Sequence, residues 1–363
     1  GAQVKDIAFR RTAGVSGHIS LKKAWELMKT ENVMTLAVTS ASDKLEGLII
    51  TGDIAESYMD VYDNHILSRA RTQYKNIVET LNGTLLAGNE HAYFVKGKVV
   101  IAAANPDLME NYIEQDDLVI LGNRYESQLC AIEMNASCII VCEGAPVSRT
   151  IKRLAQERVC SIISTPHDTY TVARLINQSM PVKHFMKKRN LLTFEMDDYT
   201  DSIKDIMAKK RYRDFPVVDK HGHYVGMVSR RNLLGIKRRG LILVDHNEAS
   251  QAVDNIESAE ILEIIDHHRL GSLETMAPVY FRNQPVGCTC TIMYQIYQEK
   301  GLEIPANIAG LLCAAIISDT LMFRSPTCTA VDRAAAQDLA AIAGIECESF
   351  AKEMFAAGSN LKG

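Results

Sequence analysis

Three apolar runs in this chain end in groups that can hold a divalent cation. "LEIIDHH" (262–268) carries Asp266, His267 and His268 directly after a strand-like stretch. "LILVDHNE" (241–248) does the same with Asp245, and "CAAIISDT" (313–320) ends in Asp319. One Asp at a strand end is commonly a cap or a turn former, and one His beside an apolar run is commonly structural. Three such ends in one region are harder to explain that way, because open α/β sheets form ligand sites outside the carboxyl ends of their strands. A mixed carboxylate and imidazole set suits Mn²⁺ or Co²⁺, with Mg²⁺ a further candidate. Two such cations about 3.5–4 Å apart would clamp a phosphoryl group.

The elements that must position these groups belong to a large chain. Its 363 residues are 47% hydrophobic and 23% charged, enough to bury a core in two or three domains. The net charge of -4 favours neither nucleic acid nor an anionic membrane. The longest apolar runs, such as "ASCIIVC", fall far short of the roughly 20 residues that span a bilayer. The first residues, "GAQVKDIAFRRT", lack the apolar core of a signal peptide and do not begin with Met, which hints at a fragment. Nine scattered cysteines without a CxxC spacing read as reduced thiols of a cytoplasmic protein rather than a zinc site.

An internal repeat organises the first two thirds. Residues 24–53 align with 203–232 without a gap, at a constant offset of 179. Met28 falls on Met207, Val38 on Val217, Gly47 on Gly226, and Asp53 on Asn232. Each copy reads as a β-α-β-β unit, with an amphipathic helix followed by two short apolar strands around a polar turn. Such a unit cannot bury its own sheet face, so the copies are expected to pair.

"DFPVVDKHGHYVGMVSRRNLL" and "TLAVTSASDKLEGLIITGDI" resemble CBS domains. That resemblance implies an adenine-nucleotide site between the copies. Its ribose would be held by Ser229 and Asn232 in the second copy, and by Asp53 with Thr51, one place late, in the first. "KKRYRDF" adds Arg211, Tyr212 and Arg213, which could pair with phosphate and stack on a base. The alternative for these three is a solvated basic helix end.

Between the copies, apolar strands ("VVIAAA", "LVILG", "CIIVCEG", "VCSIIST") alternate with helical stretches ("PDLMENYIEQ", "ESQLCAIEMN", "VSRTIKRLAQER", "TYTVARLINQ"). Alternation of this kind predicts a parallel α/β layer. The arrangement resembles the DRTGG domain. No catalytic constellation stands out in it; His167 and Asp168 read as loop and cap residues.

"VDHNE", "IIDHH" and "IISDTLMFRSPTCTAVD" resemble motifs of the DHH phosphoesterases, and more narrowly of the family II inorganic pyrophosphatases that carry a CBS–DRTGG–CBS insertion. The resemblance implies that Asp245 bridges two metals and that His267 and Asp319 bind the second. It implies that His268 contacts substrate phosphate and that Asp266 orients an imidazole. A first motif, His-x-x-x-Asp-x-Asp, and a C-terminal lobe called DHHA2 are not in this chain. Weak metal binding and poor hydrolysis are therefore expected of the chain alone.

The resulting expectation is an α/β multidomain chain with two CBS units flanking a DRTGG-like domain and followed by a parallel α/β partial DHH domain. The boundaries fall at 1–70, 71–180, 181–237 and 238–363. The function expected is metal-dependent hydrolysis of diphosphate to two phosphates. Adenine nucleotides would regulate it at the CBS pair, with AMP or ADP inhibiting and ATP-type ligands activating. A homodimer through the CBS domains is also expected, with no nucleic-acid or membrane partner. Two alternatives stay open: another DHH phosphoesterase acting on cyclic dinucleotides or oligonucleotides, and a stand-alone adenine-nucleotide sensor.

Overall fold

The computed structural model describes residues 1–59, 62–236 and 238–359. It is a mixed α/β chain that divides into two compact units, Ala2–Gly235 and Ile236–Gly363. The expected boundary at 237 lies outside the described residues.

In the first unit the repeat is visible element by element. Helix Leu21–Thr30 matches Thr200–Ala208, strand Thr35–Thr39 matches Asp214–Val218, and strand Leu45–Ile50 matches Tyr224–Ser229. Each helix buries one stripe, Leu21, Ala24 and Met28 in the first and Thr200, Ile203 and Met207 in the second. Those positions recur at helical spacing, so packing rather than propensity sets each helix's orientation. Both hairpins carry their irregularity at the same place, between Val38 and Thr39 and between Val217 and Val218.

The copies differ at their first strand. In the second, Phe194–Glu195 pairs parallel to Val217 and Val218, giving a three-stranded sheet. In the first, only an isolated bridge from Val15 to Val38 stands in that place, so the β-α-β-β reading is corrected to a two-stranded hairpin. Val15 sits between Gly14 and Gly17, which cannot extend a strand as cheaply as branched residues can. Segments from outside each hairpin complete both edges. Arg10 pairs with Met227, and Lys187 pairs with Leu48. A Cβ on Gly226 would lie 2.3 Å from the Arg10 carbonyl, and one on Gly47 would lie 2.7 Å from that of Lys187. Only glycine admits these close approaches.

The middle region forms a five-stranded sheet in the order Thr84–Ala87, Ser161–Ser164, Cys138–Val141, Leu118–Leu121, Val99–Ile101. Its last four strands are parallel, but Thr84–Ala87 runs antiparallel and was not legible as a strand, which corrects the all-parallel expectation. Leu118–Leu121 and Cys138–Val141 are buried throughout, as strands covered on both faces must be. The helix expected over "PDLMENYIEQ" shortens to Pro106–Met109. The buried Asp117 carboxylate takes the amides of Glu114 and Lys98, which draws the chain out of helical geometry. Asp168 caps helix Thr169–Leu175 by accepting from the Thr171 amide.

The second unit holds a parallel sheet ordered Gly240–Val244, Glu260–Asp266, Tyr280–Asn283. Leu243, Ile256 and Ile264 fill one face, while Ile265 packs on Val286 and Ile292 at the other. Helices Ala306–Asp319, Ala330–Ala343 and Cys347–Ser359 form a separate core around Cys313, Ile316, Ile317, Ala336 and Leu339. No helix among the described residues is long and apolar enough to cross a membrane.

Candidate metal centre and nucleotide cleft

Adjacent parallel strands deliver the candidate ligands. Asp245 follows Val244, and its amide still donates to the Ile265 carbonyl, so the two strand ends stay in register. Its φ of 69° is left-handed, which costs a non-glycine residue about 1–2 kcal/mol. Strain of this kind persists only where the surroundings enforce it, and it clusters at functional sites. Asp245, His267 and His268 place one donor atom each within 4.8 Å of one another. His267 Nε2 lies 3.4 Å from an Asp245 oxygen.

The two imidazoles are held differently. His267 Nδ1 lies 2.8 Å from the Val286 carbonyl, which can only accept, so Nδ1 carries the proton and Nε2 is left facing Asp245. His268 Nδ1 instead donates to Asp266 Oδ1 at 2.7 Å. Asp266 is fully buried. Burial alone would raise its pKa. Hydrogen bonds from the Asn247 amide, the His268 ring and the backbone amides of His268 and His267 outweigh that and hold it below the usual carboxylate range. The Asp245 carboxylate in turn accepts the Thr289 hydroxyl at 2.7 Å.

Asp319 is the last residue of its helix and is exposed. Among the described residues it is not a member of the three-residue group. Its carboxylate faces the Cys288 thiol, which contact with Cys290, burial and Asp319 together push well up. The bond from Cys288 lowers Cys290, against burial and the nearby charges of Asp319 and Asp245. Beyond Asp319 the chain turns through three consecutive left-handed residues, Leu321, Met322 and Phe323.

Asn247 and Thr289 were missed by sequence reasoning. Asn247 is buried, and its amide donates to Asp266 and to the Arg269 carbonyl while its oxygen accepts from Gly271. Its place two residues after Asp245 in "VDHNE" was the available signal. Nothing local in the sequence marked Thr289. The carboxylate and imidazole donors fit Mn²⁺ or Co²⁺.

In the first unit the structure brings part of the predicted nucleotide set together. Thr51 opens helix Thr51–Met59, and Asp53 accepts from the Ile50 amide at 2.9 Å. Burial pushes the Asp53 carboxyl up, while Lys187 pulls it down. Tyr212 is hydrogen-bonded to Lys187, whose ammonium lies 4.3 Å from the ring centroid, and Lys187 lowers the phenol's pKa. Arg213 reaches Met34, whose carbonyl takes the Thr51 amide. Ser229 and Asn232 cap one another at the second copy's helix start. Arg211 is exposed and makes no polar side-chain contact among the described residues.

These features define a carboxylate–imidazole centre on the α/β sheet of one unit, and a paired-repeat module in the other. Two family models match: the DRTGG domain over residues 76–179 and the DHH family, N-terminal domain, over residues 135–316. The second spans half of the chain and takes in Asp245, Asp266, His267 and His268. The chain belongs to the DHH family.

It is 42% identical over 361 residues to a "cobalt-dependent inorganic pyrophosphatase" of Clostridium perfringens, covering 99% of this chain and 66% of the relative. It is 34% identical over 358 residues to a "probable manganese-dependent inorganic pyrophosphatase" of Thermotoga maritima, covering 99% and 65%. The chain thus spans just under two thirds of the length of these relatives. A solved structure of the CBS and DRTGG domains of the C. perfringens pyrophosphatase regulatory region, complexed with the activator diadenosine tetraphosphate, is 35% identical with a TM-score of 0.61. It covers 63% of this chain and 100% of that one.

Proposed function

We propose that this chain forms the regulatory region and part of the catalytic region of a metal-dependent inorganic pyrophosphatase. The observation that carries the reading is the convergence of Asp245, His267 and His268 within 4.8 Å at the ends of adjacent parallel strands. The similarity to cobalt- and manganese-dependent pyrophosphatases over 99% of the chain supports pyrophosphate over cyclic dinucleotides or oligonucleotides as substrate.

In this reading Asp245, His267 and Asp319 hold divalent cations, which when bound supply Lewis-acid polarisation of phosphoryl oxygens. Thr289 orients Asp245, and Val286 sets the tautomer of His267. Asp266 fixes His268 so that Nε2 is turned toward substrate, where a proton on it can bond a phosphate oxygen. The domains are assigned as 1–70, 71–180, 181–237 and 238–363, with CBS units first and third. Adenine nucleotides bind between the CBS copies, a homodimer forms through them, and the protein works in the cytoplasm.

The test is Co²⁺ or Mn²⁺ binding by calorimetry, alongside pyrophosphate-dependent phosphate release. Asp245→Asn should abolish the metal binding that the chain shows and any release. A chain that binds neither cation, or an Asp245→Asn variant that binds them as wild type does, would sink the reading.

A further inference from the structure

The helical core of the second unit holds two thiols that meet. Cys313 lies in the middle of helix Ala306–Asp319 and is fully buried. Cys347 opens helix Cys347–Ser359 and is only partly buried. Both thiols donate to one oxygen, the Ala336 carbonyl of the intervening helix Ala330–Ala343, over 3.5 Å from Cys313 and 3.8 Å from Cys347. The two sulfurs are also in contact with one another. Burial and the neighbouring Cys347 push the Cys313 thiol up to about 12, so it stays protonated.

An oxidisable pair needs an accessible sulfur and a backbone that can take the bond. Cys138 and Cys160 are near one another but both are buried. Cys288 and Cys290 are separated by Thr289 alone, and bonding them would distort the start of helix Thr289–Lys300. Cys313 and Cys347 come from different helices, and Cys347 is reached by solvent. The helix that Cys347 opens is also the one held least. Of its 13 residues only Ala351 is buried, whereas Ala306–Asp319 buries four and Ala330–Ala343 buries five. Elements with few buried side chains open locally far more often than the whole fold unfolds.

We infer that Cys313 and Cys347 are a peroxide-oxidisable dithiol whose disulfide pins helix Cys347–Ser359 to the helix that ends in Asp319. The reaction starts at the accessible sulfur. Cys347, as thiolate, attacks one oxygen of hydrogen peroxide and breaks the O–O bond, giving a sulfenic acid and, with a proton, one water. The Cys313 sulfur then attacks the Cys347 sulfur, and the displaced hydroxyl leaves with the Cys313 proton as a second water. Two thiols are oxidised and one peroxide is reduced, giving one disulfide and two waters. A dithiol reductant reverses the bond by exchange. In a reducing compartment such a bond is transient and reports oxidant. In the reduced chain the last helix opens by itself. In the oxidised chain its first turn stays tied to the buried core.

The experiment treats the fully reduced chain with hydrogen peroxide, digests it without reductant and maps the peptides by mass spectrometry. One cross-linked pair should appear, containing Cys313 and Cys347 and two hydrogens lighter than the separate peptides. The thiols titrated in denaturant should fall by two from the chain's nine, and dithiothreitol should restore them. Amide exchange in helix Cys347–Ser359 should slow roughly tenfold or more on oxidation. Cys347→Ser should form no cross-link at Cys313 and show no such slowing. A cross-link between other cysteines, or Cys347 carried to sulfinic acid without a cross-link, overturns the inference. So does exchange that stays unchanged once the Cys313–Cys347 bond has formed, because the bond would then pin nothing.

Discussion

Asp266 Oδ1 and His268 Nδ1 lie 2.7 Å apart, while the neighbouring His267 turns its Nδ1 away, to the Val286 carbonyl. Consecutive imidazoles are thus given different anchors, one charged and one neutral. The charged anchor fixes the His268 ring through Nδ1 and leaves its Nε2 free to meet a phosphate. The neutral anchor leaves the lone pair of His267 Nε2 free beside Asp245, available to a cation that both can hold. Asp266→Asn should therefore lower phosphate release about 10- to 100-fold, the usual cost of losing an orienting carboxylate. Bound Co²⁺ per chain should not change. Metal analysis beside the rate assay checks this; loss of metal in proportion to rate would refute the division of roles.

Thr289→Val keeps the shape and removes the hydroxyl that bonds Asp245 at 2.7 Å. Metal affinity should fall about 10- to 100-fold. Calorimetric titration with Mn²⁺ reads it directly, and an unchanged affinity would mean the bond does not restrain Asp245.

Asp332 is fully buried and accepts from the Gly287 amide, the Thr291 hydroxyl and both the amide and the hydroxyl of Thr329. Burial alone would raise its pKa, but those donors hold it below 3.8. A depressed folded pKa contributes stability that is fully present above the unfolded value and is lost as pH falls through the folded one. Urea unfolding of wild type should therefore weaken as pH drops below about 4. Asp332→Ala should cost roughly 2–5 kcal/mol at pH 7 by stranding buried donors. It should also flatten this acid dependence. An Asp332→Ala curve as steep in acid as wild type would place the dependence elsewhere.

Gly226→Ala would set a Cβ 2.3 Å from the Arg10 carbonyl and 2.8 Å from the Phe9 ring. The edge segment must shift or detach, at about 1–3 kcal/mol. A lowered melting temperature together with faster amide exchange at Met227 is the expected result. Gly122→Ala, with nothing within 4 Å of the added atom, is the control.

Much of the fold could be read because its signals are periodic. The helical stripe Leu21, Ala24, Met28 and its repeat Thr200, Ile203, Met207 sit where the 179-residue offset puts them. Fully apolar runs such as "LVIL" and "CIIV" become buried parallel strands, because little else hides so many branched side chains. Strand Thr84–Ala87 was not legible, since "TLLA" is only partly buried and lacks the run of branched apolar residues that marks the other strands. The missing first strand of copy one is replaced by the Val15 bridge, which Gly14 and Gly17 keep from extending.

By itself, the sequence determined which residues could do chemistry: Asp245, Asp266, His267 and His268 each close an apolar run, and such runs become strands whose ends gather. Only the tertiary structure decided how those groups divide their tasks. Val286 lies 19 positions from His267, and Thr289 lies 44 from Asp245. Asn247 and Asp266 meet across neighbouring strands. Hydrogen bonds between residues so far apart depend on sheet order and register, which no local pattern encodes. The same holds for Arg10 and Lys187, whose equivalence emerges only when each docks on a hairpin that other parts of the chain have built.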